Sequence, residues 1–358
     1  MADQFLVLRC YEDKQDLLNM QRKIDRDFMK REVLPDKHVM AIACGICCIE
    51  DTIEKLDIRG FVNRANYAQK TIKNAPGSNY AFYNESIREQ MFREIHIADR
   101  MGSALAAGEF IVYFQPKVSL SQNRITGRRL WCGGNRPGSG VISPGEVYSC
   151  AGAERENPGP DRYVFEKVCI WLGERKRREQ ETFPVSVNLS RSNFIYDSFL
   201  EEFIEIADRH QADRNMIELE VTETVFLTEE NIQKVKREIR AIHDCGFRCA
   251  LDDFGVGFSS LTLLKEFNID SLKMDRSFFS DLDNAKTRNV ISCILELAEQ
   301  LDMETVAEGI ETEEQIDSLR RLGCDVVQGY YFSRPLPQEQ FERWIQEFEE
   351  IHVREDRE

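Results

Sequence analysis

The sequence predicts an α/β chain: a TIM-like (β/α)8 barrel behind a small N-terminal α/β unit. Two observations predict the barrel. Six short apolar runs each end in a residue able to bind a metal or carry a proton, and helix-like segments separate them. The runs are Val185–Val187 into Asn188, Ile217–Leu219 into Glu220, Cys249–Leu251 into Asp252 and Asp253, Ser271–Leu272 into Lys273, Thr305–Ala307 into Glu308, and Val326–Val327 into Gln328. Buried parallel strands read as apolar runs, and in a barrel the residues at their carboxyl ends face the mouth. The second observation is spacing: each interval has room for one helix and two loops.

Taken in order, residues 1–84 read as the small unit. Phe5–Leu8 and Val39–Ala43 are expected as strands, residues 13–32 and 60–73 as helices, and residues 75–79 as a Pro-Gly turn. A connector helix is expected over residues 85–107, with a periodicity suited to pairing between subunits. The barrel domain spans residues 108–348. Its first strand is Phe110–Phe114, the last barrel strand ends near Val327, and a final helix follows Pro337; residues 349–358 form a charged tail.

Composition narrows the function. The 358 residues are 42% hydrophobic and 31% charged, values of an ordinary globular protein, and the net charge is -16. Such an acidic chain is a poor binder of nucleic acid at large, although a phosphate ester bound through divalent cations remains compatible with it. No stretch is apolar enough to span a bilayer and no secretory signal is read. Eleven cysteines, an odd number, do not describe a disulfide framework. Reduced, buried thiols in a cytoplasmic setting are expected, including Cys44–Cys47 with its redox-like spacing.

The strand-end residues suit hydrolysis of a phosphodiester. Carboxylate and amide oxygens are ligands for hard cations, and two cations can lower the pKa of water, neutralise phosphate oxygens and align an in-line attack. Each residue also has a plainer reading. Asn188 alone suits a turn, Asp252 and Asp253 suit a helix cap, Glu220 and Glu223 suit a solvated strand end, and Lys273 suits a pair with Asp275 or Asp270. The ordered series, rather than any member of it, favours chemistry.

Several strings then resemble the EAL-domain family closely: Ile217–Thr224 (IELEVTET), Leu251–Ser260 (LDDFGVGFSS), Leu272–Phe278 (LKMDRSF), Ala307–Thr312 (AEGIET), Gln328–Phe332 (QGYYF), Tyr113–Pro116 and Val187–Ser190. The resemblance is collinear over about residues 106–345. It implies a barrel of the EAL type that opens cyclic di-GMP to the linear dinucleotide pGpG with Mg2+ or Mn2+ at a two-metal site. By this resemblance Asn188, Glu220 and Asp252 bind the first cation, Asp253 holds the second with Asp252 bridging, and Glu308 completes the metal site or orients the water. Lys273 stabilises the attacking hydroxide and the developing charge, Glu223 braces the loop Phe254–Ser259, and Gln115 and Gln328 line the substrate cleft. Cyclic di-GMP is thus the expected ligand and a homodimer the expected assembly.

The N-terminal unit resembles the back half of a GGDEF domain, with Met1–Phe5 where its signature would stand and Arg64–Lys70 similar to its final helix. The signature glycines are absent and Gln4 replaces the acid, so a degenerate, truncated remnant without cyclase activity is implied.

The chain departs from the family at its namesake signature. Glu-Ala-Leu should fall at residues 129–131, where Arg129, Leu130 and Trp131 stand. An anionic metal ligand is thereby exchanged for a permanent cation. The family's phosphate-binding arginine is Gly133, the Phe-Ile-Pro segment is lost at Val147–Ser149, and Val256 replaces a threonine of the metal-linked loop. Taken literally, these changes describe a silent receptor for cyclic di-GMP or for a protein partner. However, codons for Gly127–Gly134 can be chosen so that another frame reads Ala-Glu-Ala-Leu-Val-Arg-Trp, and Val147–Ala153 can likewise yield Phe-Ile-Pro. Compensating insertions and deletions over residues 128–134 and 147–160 are therefore expected in the gene. Re-sequencing it tests this: codons at residues 127–134 that cannot spell Glu-Ala-Leu in a shifted frame would end the idea.

Overall fold

The computed structural model describes residues 5–19, 22–23, 43–51, 54–72, 79–106, 109–136, 140–142, 159–195, 199–226, 229–255 and 264–355. The chain divides into two compact units, Met1–His96 and Ile97–Glu358.

The first unit carries two parallel strands, β1 (Ala43–Ile46) and β2 (Asn79–Phe82), and a crossover helix, Ile58–Lys70. Asp57 caps that helix by accepting from the Gly60 N–H at 2.8 Å. Phe5–Leu8, expected as a strand, lies outside any sheet with its side chains exposed. Residues 39–42 and 75–78 fall outside the described residues, and so do most of residues 13–32. A 22-residue helix, Glu85–Ala106, follows.

The second unit is an eight-stranded barrel. Its strands are β3 (Phe110–Ser119), β4 (Ile125–Arg136), β6 (Val185–Asn188), β7 (Ile217–Thr222), β8 (Arg248–Phe254), β9 (Ser271–Met274), β10 (Glu304–Glu308) and β11 (Val326–Gln328). Pairing of β3 with both β11 and β4 closes the ring, while β5 (Gly140–Ile142) and β12 (Leu336–Pro337) extend it at β4 and β3. From β4 round to β11 every barrel neighbour is parallel. β3 differs from the parallel strand expected: it runs antiparallel to both neighbours. The physical reason is its short link to β4. Residues 120–124 form a hairpin turn, and a turn that short can join only antiparallel strands.

Helices cover the outside. In Gly159–Arg177 the residues Val164, Phe165, Val168, Trp171 and Leu172 recur at helical spacing, and all are buried against the strands. Helix Glu313–Leu322 begins with a Thr312–Gln315 capping box and ends at Gly323, whose φ of 84° is left-handed. The final helix is Gln338–Glu355. The described cysteines are free; Cys48, Cys169, Cys249 and Cys324 are buried, but Cys10 and Cys293 are exposed, contrary to the expectation for them.

β4 passes through Arg128 and Arg129 with its pairing to β3 unbroken. Successive strand residues face opposite sides, so Arg128 turns outward under the helices while Arg129 turns into the barrel. Arg128 is fully buried. Its guanidinium lies 4.2 Å from the Trp171 ring centroid, 4.8 Å from Phe183 and 5.0 Å from Phe341. None of its three nitrogens has a hydrogen-bond partner. Burial, and then repulsion from Arg175, pull this guanidinium well below the usual arginine range. Stacking on aromatic faces returns only ~2 kcal/mol or somewhat more, whereas a buried uncompensated charge costs roughly 3–5 kcal/mol. Arg128→Met, of similar length and uncharged, is expected to stabilise the chain by about 1 kcal/mol, raising the melting temperature by roughly 2–4 °C. A lower melting temperature would show that the aromatic cage outweighs the desolvation.

Candidate active site

The strands deliver their inward residues to one mouth. Register places Gln115 of β3 beside Arg129 of β4, Asn188 of β6 beside Glu220 of β7, and Glu308 of β10 beside Gln328 of β11. Asp252 is the last residue of β8 paired with β7, opposite Thr222, and Lys273 is an inward residue of β9.

At the centre stands Arg129. Its Nε is 2.9 Å from Glu220, one terminal nitrogen is 2.8 Å from Glu308, and the other is 2.6 Å from Asp252 and 3.0 Å from the Asn188 side-chain oxygen. Lys273 Nζ sits opposite, 2.8 Å from Glu220, 2.8 Å from Asp252 and 2.6 Å from Glu308. Glu220, Asp252 and Glu308 therefore each face both cations. Burial alone would discharge such groups, but the ion pairs reverse it. Asp252 is held well below the usual carboxylate range because Arg129 and then Lys273 outweigh its desolvation. Desolvation works against Lys273 and Arg129 too, yet the carboxylates hold both firmly charged.

Asp253 is different. Its φ of 56° is left-handed, which asparagine and aspartate tolerate better than most residues. The carboxylate projects to the mouth and the residue is exposed. Desolvation of the carboxyl, and then the like charges of Asp252 and Glu308, push it up to about 6. Gly255, two residues on, has φ 96°, and a Cβ there would strike the Phe278 ring. Its N–H donates to Glu223 Oε1 at 3.1 Å. Glu223 thus lies outside the cluster and holds the start of the following loop; residues 256–259 of that loop fall outside the described residues.

Gln115 and Gln328 are buried and joined: Gln328 Nε2 donates to Gln115 Oε1 at 2.9 Å, and Gln115 Nε2 to the Ser333 carbonyl at 3.1 Å. Gln328 Oε1 has no hydrogen-bond partner. Both were expected to line the cleft; as folded they first satisfy each other.

A second polar layer went unread in the sequence. Lys117 Nζ is 2.6 Å from Glu218, and Ser186 Oγ donates to the same carboxylate. Lys117 reaches Glu220 at 3.6 Å. Lys117 and, to a lesser degree, Ser186 bring the Glu218 carboxyl down to about 2, against its burial. Ser186 and Glu218 lie two residues before Asn188 and Glu220. Period-two counting back from each mouth residue would have found them.

The EAL domain profile matches residues 98–335 of the chain, well over half its length. The chain belongs to the EAL-domain family. This EAL chain is 27% identical over 331 residues to the signaling protein YkoW of Bacillus subtilis, covering 91% of this chain and 40% of YkoW. It is 30% identical over 271 residues to the cyclic di-GMP phosphodiesterase PA2567 of Pseudomonas aeruginosa, covering 75% of this chain and 46% of that protein. Among solved structures, the PaMucR phosphodiesterase in complex with c-di-GMP is 28% identical, with a TM-score of 0.63 over 70% of this chain and 99% of that one. The chain spans under half the length of the curated relatives named.

EAL domains depend on divalent metal, so the residues present can be tested against that requirement. They do not fit the two-cation arrangement that the resemblance implied. Asn188, Glu220 and Asp252, expected to share the first cation, share a guanidinium instead. Lys273 Nζ, expected to meet a hydroxide, lies within ion-pair distance of three carboxylates and donates to Asp252 at 2.8 Å. The residues do fit a single ion further out. Asp252, Asp253 and Glu308 each offer an oxygen within 4.8 Å of the others. Among the described residues Glu220 stands outside that group.

The Asp253 shift has a definite sign. Its carboxyl ionises near 6 when folded and at about 3.9 when unfolded, so ionisation costs stability as pH rises through that window. In metal-free buffer Asp253→Asn is expected to gain in melting temperature relative to the natural chain between pH 4 and pH 6.5. A difference constant across that range would refute the assignment.

Proposed function

We propose that this chain is a cyclic di-GMP phosphodiesterase domain by lineage, built to open the cyclic dinucleotide to pGpG, and that Arg129 holds its hydrolytic centre back. The observation that carries the reading is the mouth itself. Four carboxylates and a lysine converge from four strands, β7 to β10, in a chain similar to named phosphodiesterases. PA2567 acts on cyclic di-GMP and PaMucR binds it, and the same ligand is inferred for this chain.

The roles of the residues follow from their chemistry. A phosphodiester is anionic and needs positive charge at the mouth, which Arg129 and Lys273 contribute from below. A divalent ion, when bound, neutralises phosphate oxygens and lowers the pKa of water. Asp253, at the outer edge of the mouth, is placed to hold that ion, and Glu308 at its side to orient an attacking water. Glu223 keeps the Asp253–Gly255 turn in place through the Gly255 N–H. Freed from one another, Gln115 and Gln328 would offer amide groups to a guanine or a phosphate.

A second reading is favoured by one observation. The guanidinium of Arg129 occupies the oxygens that a first cation would need, so the chain can bind the dinucleotide without opening it. Such a domain would signal as a receptor.

The deciding experiment follows pGpG release from cyclic di-GMP with Mg2+ or Mn2+, comparing the natural chain with Arg129→Glu. The variant is expected to be faster by at least ~100-fold, the scale attached to removing one electrostatic group from a hydrolytic centre. If neither hydrolyses although both bind, the receptor reading replaces the enzymatic one.

A further inference from the structure

Two charges at the mouth remain to be balanced. Glu220, Asp252, Asp253 and Glu308 supply four carboxylates, and Arg129 and Lys273 answer two of them. The excess equals the charge of one divalent ion, not two. The geometry agrees with the charge. Both Glu220 oxygens are turned to the fixed cations, Oε2 to Arg129 and Oε1 to Lys273. The three oxygens that gather within 4.8 Å belong to Asp252, Asp253 and Glu308. Arg129 is buried, 6% exposed, with no room to swing aside without leaving its charge unpaired.

We propose that Arg129 is a tethered replacement for the first cation, so that this chain takes one exchangeable divalent ion, at Asp252, Asp253 and Glu308, and keeps its barrel mouth assembled with none. Three features support this. The guanidinium engages a side chain from each of β6, β7, β8 and β10, which is the bridging work a metal would do between strands. Its planar fork can meet several oxygens at once, which a lysine could not. Moreover, a second divalent ion beside it would meet a permanent positive charge across a low-dielectric interior. The inference concerns ions and not turnover, so it stands or falls whether or not cyclic di-GMP is hydrolysed.

The test counts Mn2+ bound to the full chain, by the electron paramagnetic resonance signal of the free ion, beside thermal melts in EDTA and in Mn2+. One Mn2+ per natural chain is expected, with Asp253→Asn weakening it at least tenfold while its melt in EDTA stays cooperative. Arg129→Glu should bind two, melt lower than the natural chain in EDTA, and recover with Mn2+. If that variant does not fold, Arg129→Gln carries the comparison: its melt should fall in EDTA and rise again with Mn2+. Two ions on the natural chain, none on it, or an Arg129→Gln melt indifferent to Mn2+ would each overturn the proposal.

Discussion

The barrel mouth depends on one buried ion network. Glu220, Asp252 and Glu308 lie on three different strands, and each would repel the others if left alone. Arg129 and Lys273 sit between them like two rivets, each touching all three. Isolated buried charges are costly, so such a set persists only when every member is answered. The layer beneath repeats the solution with Lys117, Glu218 and Ser186. Two polar storeys thus fill the upper barrel, and the apolar core lies outside it, between strands and helices.

Arg128 and Arg129 are adjacent in sequence and opposite in consequence. Alternation along β4 sends one inward to four oxygen-bearing side chains and the other outward to three aromatic rings. The inward arginine is ion-paired to three carboxylates at 2.6–2.9 Å. Its neighbour's guanidinium is buried without a hydrogen-bond partner. The strand itself continues because two long side chains cost a sheet little so long as its hydrogen bonds are kept.

The family relationship sets what the site descends from, and the central guanidinium sets what this chain has made of it. A carboxylate at residue 129 would add a fifth anion to the cluster and call for more metal. An arginine removes that call and supplies its own charge. With the guanidinium in place, the carboxylate oxygens that still gather at the mouth are those of Asp252, Asp253 and Glu308. Asp253 marks that boundary, for its carboxyl is pushed up where that of Asp252 is held low.

Much of this was legible in the sequence. The barrel followed from six apolar runs with functional ends, because strand interiors must be apolar and strand ends in a barrel converge. Asn188, Glu220, Asp252, Asp253, Lys273 and Glu308 were found for the same reason, and the collinear strings at Ile217–Thr224 and Leu251–Ser260 named their family. The substitution at Arg129 was visible too. What only the tertiary structure decided is where charges go. Local pattern says that a residue faces the barrel; it does not say which partners lie across it, since those come from strands up to 213 residues away. So the reversal of β3, the Gln115–Gln328 pair, the Lys117 layer, the unpartnered guanidinium of Arg128 and that of Arg129 standing among strand-end carboxylates emerged only from the closed ring. Electrostatic interaction is set by distance in space, and sequence records only distance along the chain.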